Sequence, residues 1–315
     1  MKILITGAAG FLGSHLARNL LNCGNSVICV DNLITGCEDN IKDLLGLSEF
    51  KFINQDVAKP LHIEEDLDWV MHLASPASPK YYLKYPIKTL KAGTLGTHNC
   101  LGIAKKKNAR FLLTSTSEIY GDPLVHPQTE EYFGNVNCVG PRSCYDESKR
   151  VAEAMTCAYQ REHNITIRIL RIFNTYGPLM QINDGRVISN FICQALTDKD
   201  ITIYGKGLQT RSFCYVDDLI DGIIKFMEVD YCTPLNLGNP QEISILEVAK
   251  QILRLTNSDS KIKFLSLPKY DPRMRKPDIS KAKKLLDWEP RVSLEQGLIK
   301  TISWFRNKLT KEGKL

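Results

Sequence analysis

The chain begins with the stretch Met1-Lys-Ile-Leu-Ile-Thr-Gly-Ala-Ala-Gly-Phe-Leu-Gly13. Its first six residues form the short apolar run of a buried β-strand, and glycines follow at positions 7, 10 and 13. The next segment, Ser14-His-Leu-Ala-Arg-Asn-Leu-Leu21, has the spacing of a helix. A strand, a glycine-rich turn and a helix in this order predict the first unit of a parallel α/β sheet.

A turn of this kind suits a pyrophosphate group. Glycines let the backbone approach the phosphates, and the start of the helix offers unpaired N–H groups and a positive dipole end. The spacing is Gly-x-x-Gly-x-x-Gly, so the position between strand and helix matters more than the glycine pattern. A second strand, Ser26-Val-Ile-Cys-Val30, leads to Asp31, where an acid holds ribose hydroxyls and repels a 2′-phosphate. We therefore predict a dinucleotide site that takes NAD.

The rest of the chain predicts more strands of the same sheet. Apolar runs indicate strands over 50–56, 68–74, 109–120 and 168–173, with helices over about 89–107 and over 217–228. The predicted fold is a Rossmann-type doubly wound parallel sheet with a smaller C-terminal α/β substrate lobe. We predict that residues 1–173 and 212–237 form the NAD-binding domain, and that residues 174–211 and 238–315 form a lobe that binds a nucleotide sugar.

The predicted strand of residues 109–120 ends in polar residues, and a Tyr-x-x-x-Lys motif follows further along the chain. That strand leads into Ser115-Thr-Ser-Glu118, and Tyr145 lies four residues before Lys149 in a segment with helical character. Positions i and i+4 share one helix face. Lowering the pKa of a phenol from ~10 to about 7 takes roughly 4 kcal/mol. One cation at ~4 Å supplies that amount at an effective dielectric of ~20. The motif can therefore be a proton-transfer pair.

Composition narrows the class of protein. The net charge is +6, and residues 1–150 are neutral, so the excess lies in residues 151–315 with 25 basic and 19 acidic side chains. This favours an anionic small molecule over a nucleic acid, which needs a dense basic patch with aromatic partners. No apolar run reaches the ~18 residues of a membrane span, and no secretion signal is evident. The ten cysteines contain no Cys-x-x-Cys, so we expect reduced thiols, no metal and a cytoplasmic protein.

The glycines, Asp31, Thr116, Tyr145 and Lys149 in this order resemble the extended short-chain dehydrogenase/reductase family of nucleotide-sugar enzymes. The resemblance extends from residue 1 to about 308. Further motifs are similar to the UDP-glucuronate decarboxylase branch of that family: His72-Leu-Ala-Ser-Pro-Ala-Ser78, Ser115-Thr-Ser-Glu-Ile-Tyr-Gly-Asp-Pro123, Gly140-Pro-Arg-Ser-Cys-Tyr-Asp-Glu-Ser-Lys-Arg150, Arg171-Ile-Phe-Asn-Thr-Tyr-Gly-Pro178, Asn183-Asp-Gly-Arg-Val187 and Arg275-Lys-Pro-Asp278. The glycines, Asp31, Thr116 and the Tyr/Lys pair indicate the family, and Ser115-Thr-Ser-Glu118 together with Arg275-Lys-Pro-Asp278 points to this branch.

The resemblance implies an NAD-dependent conversion of UDP-glucuronate to UDP-xylose through a UDP-4-keto sugar, with NADH re-oxidised in the same cycle. Tyr145 would take the proton of the C4 hydroxyl, Thr116 would hydrogen-bond that hydroxyl, and Lys149 would keep the phenol acidic and bind the nicotinamide ribose. Glu118 and Arg275 would handle the carboxylate and the proton returned to C5.

The resemblance also implies a set of binding residues and a homodimer that pairs through the helix carrying Tyr145 and a neighbouring helix. The expected NAD contacts are Gly7, Gly10, Phe11, Leu12, Gly13, Asp31, Asn32, Thr35, Gly36, Asp56, Val57, Leu73, Ser75, Tyr145 and Lys149. The expected substrate contacts are Lys91, Asn174, Arg186, Tyr204, Arg211 and Arg275.

Three alternatives share parts of this pattern. A dTDP-glucose 4,6-dehydratase needs Asp-Glu after the Thr, and here Ser117 fills the Asp position. A UDP-sugar 4-epimerase would need neither Glu118 nor Arg275, and a nucleotide-sensing protein without turnover tends to lose the Tyr/Lys pair. One departure from the family is Gly93, where an Asn is usual, so the helix there is expected to lose its side-chain contact with the catalytic strand.

Overall fold

The computed structural model describes residues 1–266 and 274–315. The described chain divides into two compact units. The first unit contains Met1–Ile119, Val136–Ile172 and Ile223–Leu235, and the second contains Tyr120–Asn135, Phe173–Gly222 and Asn236–Leu315. The assignment of NAD to one domain and of the nucleotide sugar to the other stays a prediction.

A seven-stranded sheet forms the centre of the first unit. Six of its strands are β1 (Lys2–Thr6), β2 (Ser26–Asp31), β3 (Phe50–Asn54), β4 (Trp69–His72), β5 (Arg110–Thr116) and β6 (Ile167–Ile172). They lie in the order β6-β5-β4-β1-β2-β3, and each neighbouring pair is parallel. The strand Pro234–Leu237 extends the sheet beside β6. This order reverses between β1 and β4, which confirms the predicted Rossmann-type sheet and marks the edge where such sheets bind ligands.

Helices flank the sheet on the first unit. They are α1 (Phe11–Asn22), α2 (Pro79–Lys84), α3 (Pro86–Lys91), α4 (Thr97–Lys107) and α5 (Ser143–His163). A π-helical turn, Ala92–Gly96, joins α3 to α4, so the predicted helix over 89–107 starts earlier and is interrupted. The core consists of apolar side chains from both layers, among them Leu4, Val30, Val70, Leu101, Phe111, Ala152 and Ile169. The strands are apolar along their length because both of their faces are covered.

Four of the predicted strands end earlier than their apolar runs, and two of these ends change where polar side chains lie. The predicted strand over 50–56 stops at Asn54, and Asp56 Oδ1 instead accepts a hydrogen bond from the Ala58 N–H (2.9 Å) in a turn. The predicted strand over 109–120 stops at Thr116, because Ser117–Tyr120 forms a 3-10 turn. Both changes place polar side chains on turns beyond the carboxyl edge of the sheet.

The second unit contains three short two-stranded pairs. In chain order its strands are β7 (Thr175–Tyr176), β8 (Ile201–Tyr204), β9 (Thr210–Ser212), β10 (Cys214–Tyr215), β11 (Pro234–Leu237, shared with the large sheet), β12 (Glu242–Ser244) and β13 (Ile262–Leu265). β7 pairs with β10 and β8 with β13 in parallel, while β9 pairs with β12 in antiparallel. The helices are α6 (Val187–Leu196), α7 (Val216–Glu228, which continues into the first unit), α8 (Ile245–Thr256), α9 (Ser280–Leu286) and α10 (Leu294–Lys311).

Within residues 1–266 and 274–315, no helix is long and apolar enough to cross a membrane. The same ranges hold no group of three or more His, Cys, Asp or Glu side chains placed to bind a metal ion.

Candidate active site

The glycine turn lies tightly against the ends of β1 and β4. Gly7 has φ = 71°, and its N–H donates to the Val30 carbonyl (2.8 Å). A Cβ on Gly7 would lie 2.8 Å from Ala74 Cα, and a Cβ on Gly13 would lie 2.3 Å from the Gly7 carbonyl oxygen. Only glycine fits these two positions. No side chain caps the start of α1 at Gly10, so the first-turn N–H groups are available to an anion.

Asp31 joins the glycine turn to the loop after β2. Its carboxylate is buried and accepts hydrogen bonds from the Ala9 N–H (3.0 Å) and the Leu33 N–H (2.8 Å). Burial raises the pKa of Asp31, and these backbone N–H groups oppose that rise. Each oxygen of an ionised carboxylate can accept more than one donor, so ribose hydroxyls could still bind. The position of Asp31 at the end of β2 did not indicate its bonds to the Ala9 and Leu33 N–H groups.

A buried hydroxyl lies just beyond the end of β4. Ser75 Oγ makes no hydrogen bond with any described residue, although buried polar atoms are almost always paired. Ser75 follows Ala74, the residue against which Gly7 packs. A ligand in the glycine turn would supply the missing partner. The narrow glycine turn, the uncapped helix start, Asp31 and this hydroxyl together fit a dinucleotide.

The other predicted NAD contacts of the first unit surround the same sheet edge. The Leu73 N–H donates to the Thr6 carbonyl (3.2 Å), and the Val57 carbonyl accepts from Asn99 Nδ2 (2.8 Å). The remaining positions lie in the first turn of α1, in the loop after β2 or in the turn after β3: Phe11 and Leu12, then Asn32, Thr35 and Gly36, then Asp56. Their contacts with NAD stay predictions.

Tyr145 and Lys149 are both buried on α5, on one face as the i,i+4 spacing predicts. The Lys149 ammonium donates to the Thr114 carbonyl (2.7 Å) of β5. Burial lowers the pKa of Lys149 to about 8, and the Glu153 carboxylate opposes that decrease. The Tyr145 ring stacks on the Tyr82 ring at 5.3 Å between centroids and 9° between planes. The structure therefore holds both groups against fixed partners.

We expect the pH dependence of stability to report the buried state of Lys149. Its pKa is near 8 when folded and 10.5 when exposed, so burying the ammonium costs about 3 kcal/mol at pH 7. Between these values the unfolded state binds more protons than the folded state, so stability rises with pH over that window. At pH 7 the free energy of unfolding of Lys149→Met, measured with urea, is expected to exceed that of the wild-type protein by about 2 kcal/mol. This value already subtracts the hydrogen bond that the substitution removes.

This advantage should shrink as the pH rises from 8 to about 10.5, because the folded wild-type protein then loses the buried charge. The exposed Lys106 on α4 offers a matched control, since Lys106→Met should leave a difference that does not depend on pH. A Lys149→Met advantage that stays constant over the same range would show that burial does not lower the pKa of Lys149 in the folded protein.

Thr116 and Glu118 lie where β5 turns into the 3-10 segment. The Glu118 N–H donates to Thr116 Oγ1 (3.3 Å), so one short turn fixes the spacing of the hydroxyl and the carboxylate. The Glu118 carboxylate forms an ion pair with Arg142, the residue at the start of α5. Sequence analysis did not single out Arg142. The available signal was its place in the quoted motif, three residues before Tyr145.

The departure at Gly93 has a steric explanation. Gly93 lies in the π-helical turn, and a Cβ there would be 2.6 Å from Ser148 Cβ and 2.8 Å from Ser148 Oγ. Ser148 lies between Tyr145 and Lys149 on α5, and its hydroxyl donates to the Tyr145 carbonyl (2.8 Å). The π-helical turn thus contacts α5, the helix that carries Tyr145 and Lys149, and the side chain of Ser148 occupies the space that a larger residue at 93 would need.

This contact predicts that Gly93→Asn lowers stability by about 1–3 kcal/mol, because an added side chain overpacks a closed interface. Activity should fall as well, since Ser148 belongs to the turn that carries Tyr145. Adding Ser148→Gly should recover only part of the lost stability, because the Ser148 carbonyl oxygen, 2.9 Å from the added Cβ, stays in place. Thermal unfolding of the single and double variants gives the measurement.

A matched control is Gly102→Asn on α4, where an added Cβ meets nothing within 4 Å. The Gly102→Asn variant should lose little stability. If Gly93→Asn is as stable as Gly102→Asn, the steric account of position 93 is wrong.

The predicted substrate contacts fall mostly in the second unit. Arg211 is on β9, and the neighbouring Ser212 hydroxyl donates to the Arg275 carbonyl (3.2 Å), so the structure brings these two arginines onto adjacent segments. Arg275 is 2% exposed, and its guanidinium donates to the Gly121 carbonyl (3.1 Å).

The other substrate candidates lie on separate segments. Tyr204 ends β8 and is 47% exposed, while Arg186 starts α6 and pairs with Asp184 at 3.2 Å. Asn174 lies between β6 and β7 and accepts the Cys214 N–H at its carbonyl (2.9 Å). Lys91, exposed at the end of α3, belongs to the first unit. Their contacts with a substrate stay predictions.

Known proteins resemble the chain over nearly its whole length. Residues 3–238 match the model of the NAD dependent epimerase/dehydratase family. UDP-glucuronic acid decarboxylase 1 of Xenopus tropicalis is 56% identical over 308 residues, which are 98% of this chain and 73% of that protein. UDP-glucuronic acid decarboxylase 6 of Arabidopsis thaliana is 55% identical over 299 residues, covering 95% and 87%.

A solved structure is similar at lower identity. The UDP-glucuronic acid 4-epimerase of Bacillus cereus, in complex with UDP-glucuronic acid and NAD, superimposes with a TM-score of 0.88. The two chains are 31% identical, and the match covers 98% of this chain and 100% of the epimerase.

Proposed function

This chain belongs to the NAD-dependent epimerase/dehydratase family, and on that basis we propose that it decarboxylates UDP-glucuronate to UDP-xylose. It is an NAD-dependent enzyme of the lyase type, acting through a UDP-4-keto sugar with no net change in the cofactor. The observation that carries the choice of reaction is the carboxylate of Glu118, one turn beyond Thr116, with Ser117 rather than a second acid between them.

The catalytic residues of the first unit support the opening proton transfer. NAD, when bound, supplies the hydride acceptor for C4 and returns the hydride at the end of the cycle. We propose that Tyr145 Oη takes the proton of the C4 hydroxyl, while Thr116 Oγ1 orients that hydroxyl. A buried ammonium such as that of Lys149 stabilises a neighbouring phenolate.

The next step breaks the C5–C6 bond. With a ketone at C4, the sugar carboxylate is a β-keto acid, so its electron pair can move onto the carbonyl oxygen as CO2 leaves. Tyr145 can then return its proton toward that oxygen, and Glu118 delivers a proton to C5. The protein contributes orientation and charge stabilisation, which are the main terms when the ketone already lowers the barrier.

For the substrate, we propose that Arg186 and Arg211 bind the diphosphate. We propose that Asn174 and Tyr204 also contact the uridine diphosphate. Guanidinium groups suit phosphates because their fork of donors matches two oxygens at once. Arg275 is proposed to act on the sugar carboxylate, and Lys91 to contact the substrate from the first unit.

We also propose a cytoplasmic homodimer. Its interface would be formed by α5 and the helical segment of α3 and the π-helical turn, which pack together at Gly93 and Ser148. Exposed apolar side chains on these elements support the proposal: Ile87 is 62%, Leu95 47% and Val151 40% exposed. All ten cysteines are free thiols, as a reducing compartment would leave them.

The proposed function is tested with pure protein, UDP-glucuronate and an amount of NAD well below that of the substrate. We expect UDP-xylose and CO2 in equal amounts and many turnovers per NAD, because the cofactor is regenerated in each cycle. Production of NADH in step with CO2 would contradict the closed cycle, and no CO2 release would contradict decarboxylation.

A further inference from the structure

Arg142 connects three groups of the proposed catalytic site. Its guanidinium pairs with Glu118 and lies over the Tyr82 ring, 5.8 Å from the centroid. Its backbone carbonyl accepts the Tyr145 N–H (3.0 Å), so Arg142 also forms the first turn of the helix that carries the catalytic phenol. The side chains of Arg142 and Glu118 are only 19% and 20% exposed, so solvent screens their charges weakly.

This ion pair conflicts with the proposed work of Glu118. To deliver a proton to C5, Glu118 must be protonated before CO2 leaves. An adjacent guanidinium favours the ionised carboxylate instead, and the pair is partly shielded from water. Glu118 therefore needs a way to take up a proton only when substrate is present.

The substrate itself brings the missing element, a second carboxylate, which is bonded to C5. Arg275 is also proposed to contact the sugar carboxylate. The second carboxylate still competes with Glu118 for the Arg142 guanidinium, and like charges at close range favour the protonation of one of them. The sugar carboxylate must stay ionised to leave as CO2, so Glu118 is the group that takes the proton. The Tyr82 hydroxyl is also buried beside Arg142 and makes no hydrogen bond with the described residues, so it is available as a donor to an incoming oxygen.

We propose that Arg142 is a positioning residue that exchanges one carboxylate for another during the cycle. Without substrate it holds Glu118 as the ionised partner. When UDP-glucuronate binds, Arg142 takes the sugar carboxylate, and Glu118 takes one proton from solvent. When the C5–C6 bond breaks, CO2 carries away no charge, C5 takes the proton of Glu118, and the ionised Glu118 pairs with Arg142 again. The overall consumption of one proton per CO2 is thereby balanced.

This inference rests on the proposed function, and the count of protons taken up on binding tests it without turnover. The Tyr145→Phe variant with NAD bound serves as the starting protein, and titration calorimetry in buffers of different ionisation enthalpy counts the protons. UDP-glucuronate is expected to bind with uptake of about one proton per site and UDP-xylose with none, since only the former brings a carboxylate. Equal proton counts for the two ligands would overturn the exchange.

Variants of Arg142 separate exchange from a merely structural role. In the same Tyr145→Phe background, Arg142→Gln should weaken UDP-glucuronate at least about tenfold, while the affinity for UDP-xylose changes by less than about threefold. Arg142→Lys should restore part of the affinity for UDP-glucuronate because it keeps the charge. The control is Arg161→Gln at the exposed end of α5, which should change neither.

The outcomes distinguish this inference from the proposed function. If Arg142→Gln weakens both ligands equally, or if Arg142→Lys behaves as Arg142→Gln in a folded protein, Arg142 has a structural role and the exchange is wrong. If the wild-type protein releases no CO2 from UDP-glucuronate, the proposed function fails first, whatever these variants do.

Discussion

Tyr145→Phe is expected to slow turnover of UDP-glucuronate by about a thousandfold or more, because it removes the group that we propose accepts the C4 hydroxyl proton. Binding should change little. The ring is 5% exposed and stacks on Tyr82 at 5.3 Å, and Phe can keep that stacking without the hydroxyl. The measurement is the rate of NADH formation in a single turnover, together with the affinities for NAD and for UDP-glucuronate, which should stay within about threefold.

A matched control is Tyr159→Phe, on the same helix. The Tyr159 hydroxyl bonds His98 Nδ1 (2.9 Å) near the far end of α5, so its loss should leave turnover within about twofold. If Tyr145→Phe keeps wild-type turnover, Tyr145 has no part in the proton transfer and the mechanism must start from another base.

Arg275→Ala is expected to lower turnover of UDP-glucuronate by about a hundredfold or more. The same substitution should lower the rate of C4 oxidation of a neutral UDP-sugar by less than about tenfold. The reason is the proposed contact of its guanidinium with the sugar carboxylate. Initial rates of CO2 release, set beside rates of C4 oxidation of UDP-xylose by the same preparation, give the comparison.

A loss of stability could also lower turnover in Arg275→Ala, and the experiment must distinguish it from the loss of the carboxylate contact. Arg275 is buried and its guanidinium donates to the Gly121 carbonyl (3.1 Å), so Ala removes a hydrogen bond as well as a cation. Thermal unfolding measures that structural part, and Arg275→Lys keeps the charge at this position. Equal losses for the charged and the neutral sugar would assign Arg275 to phosphate binding or to the fold of the second unit.

The sequence predicted the parts of the fold that depend on local patterns. The strand, the glycine turn and the helix over residues 1–21 are where they were expected, and the apolar runs correspond to the central strands. The strand ends were less predictable, because an apolar run continues into a turn with no change in composition. At Glu118 the strand has already ended, because Ser117–Tyr120 forms a 3-10 turn and the Glu118 N–H donates to Thr116 Oγ1.

Contacts between residues distant in sequence explain what sequence analysis missed. Arg142 pairs with Glu118, 24 positions earlier, and the motif around it gives no sign of that partner. Gly93 looked like the loss of a contact, whereas its missing side chain leaves room for Ser148 on another helix. Asp31 was expected to face a ribose, and its bond to the Ala9 N–H is a second task that spacing alone does not reveal.

Identification of the product of UDP-glucuronate in heavy water tests the central claim most directly. With pure protein and catalytic NAD, nuclear magnetic resonance should detect UDP-xylose carrying one deuterium at C5, because in the proposed mechanism the proton delivered there comes from solvent through Glu118. UDP-galacturonate as the only product, with its carboxylate retained, would contradict decarboxylation and assign the protein to the 4-epimerases.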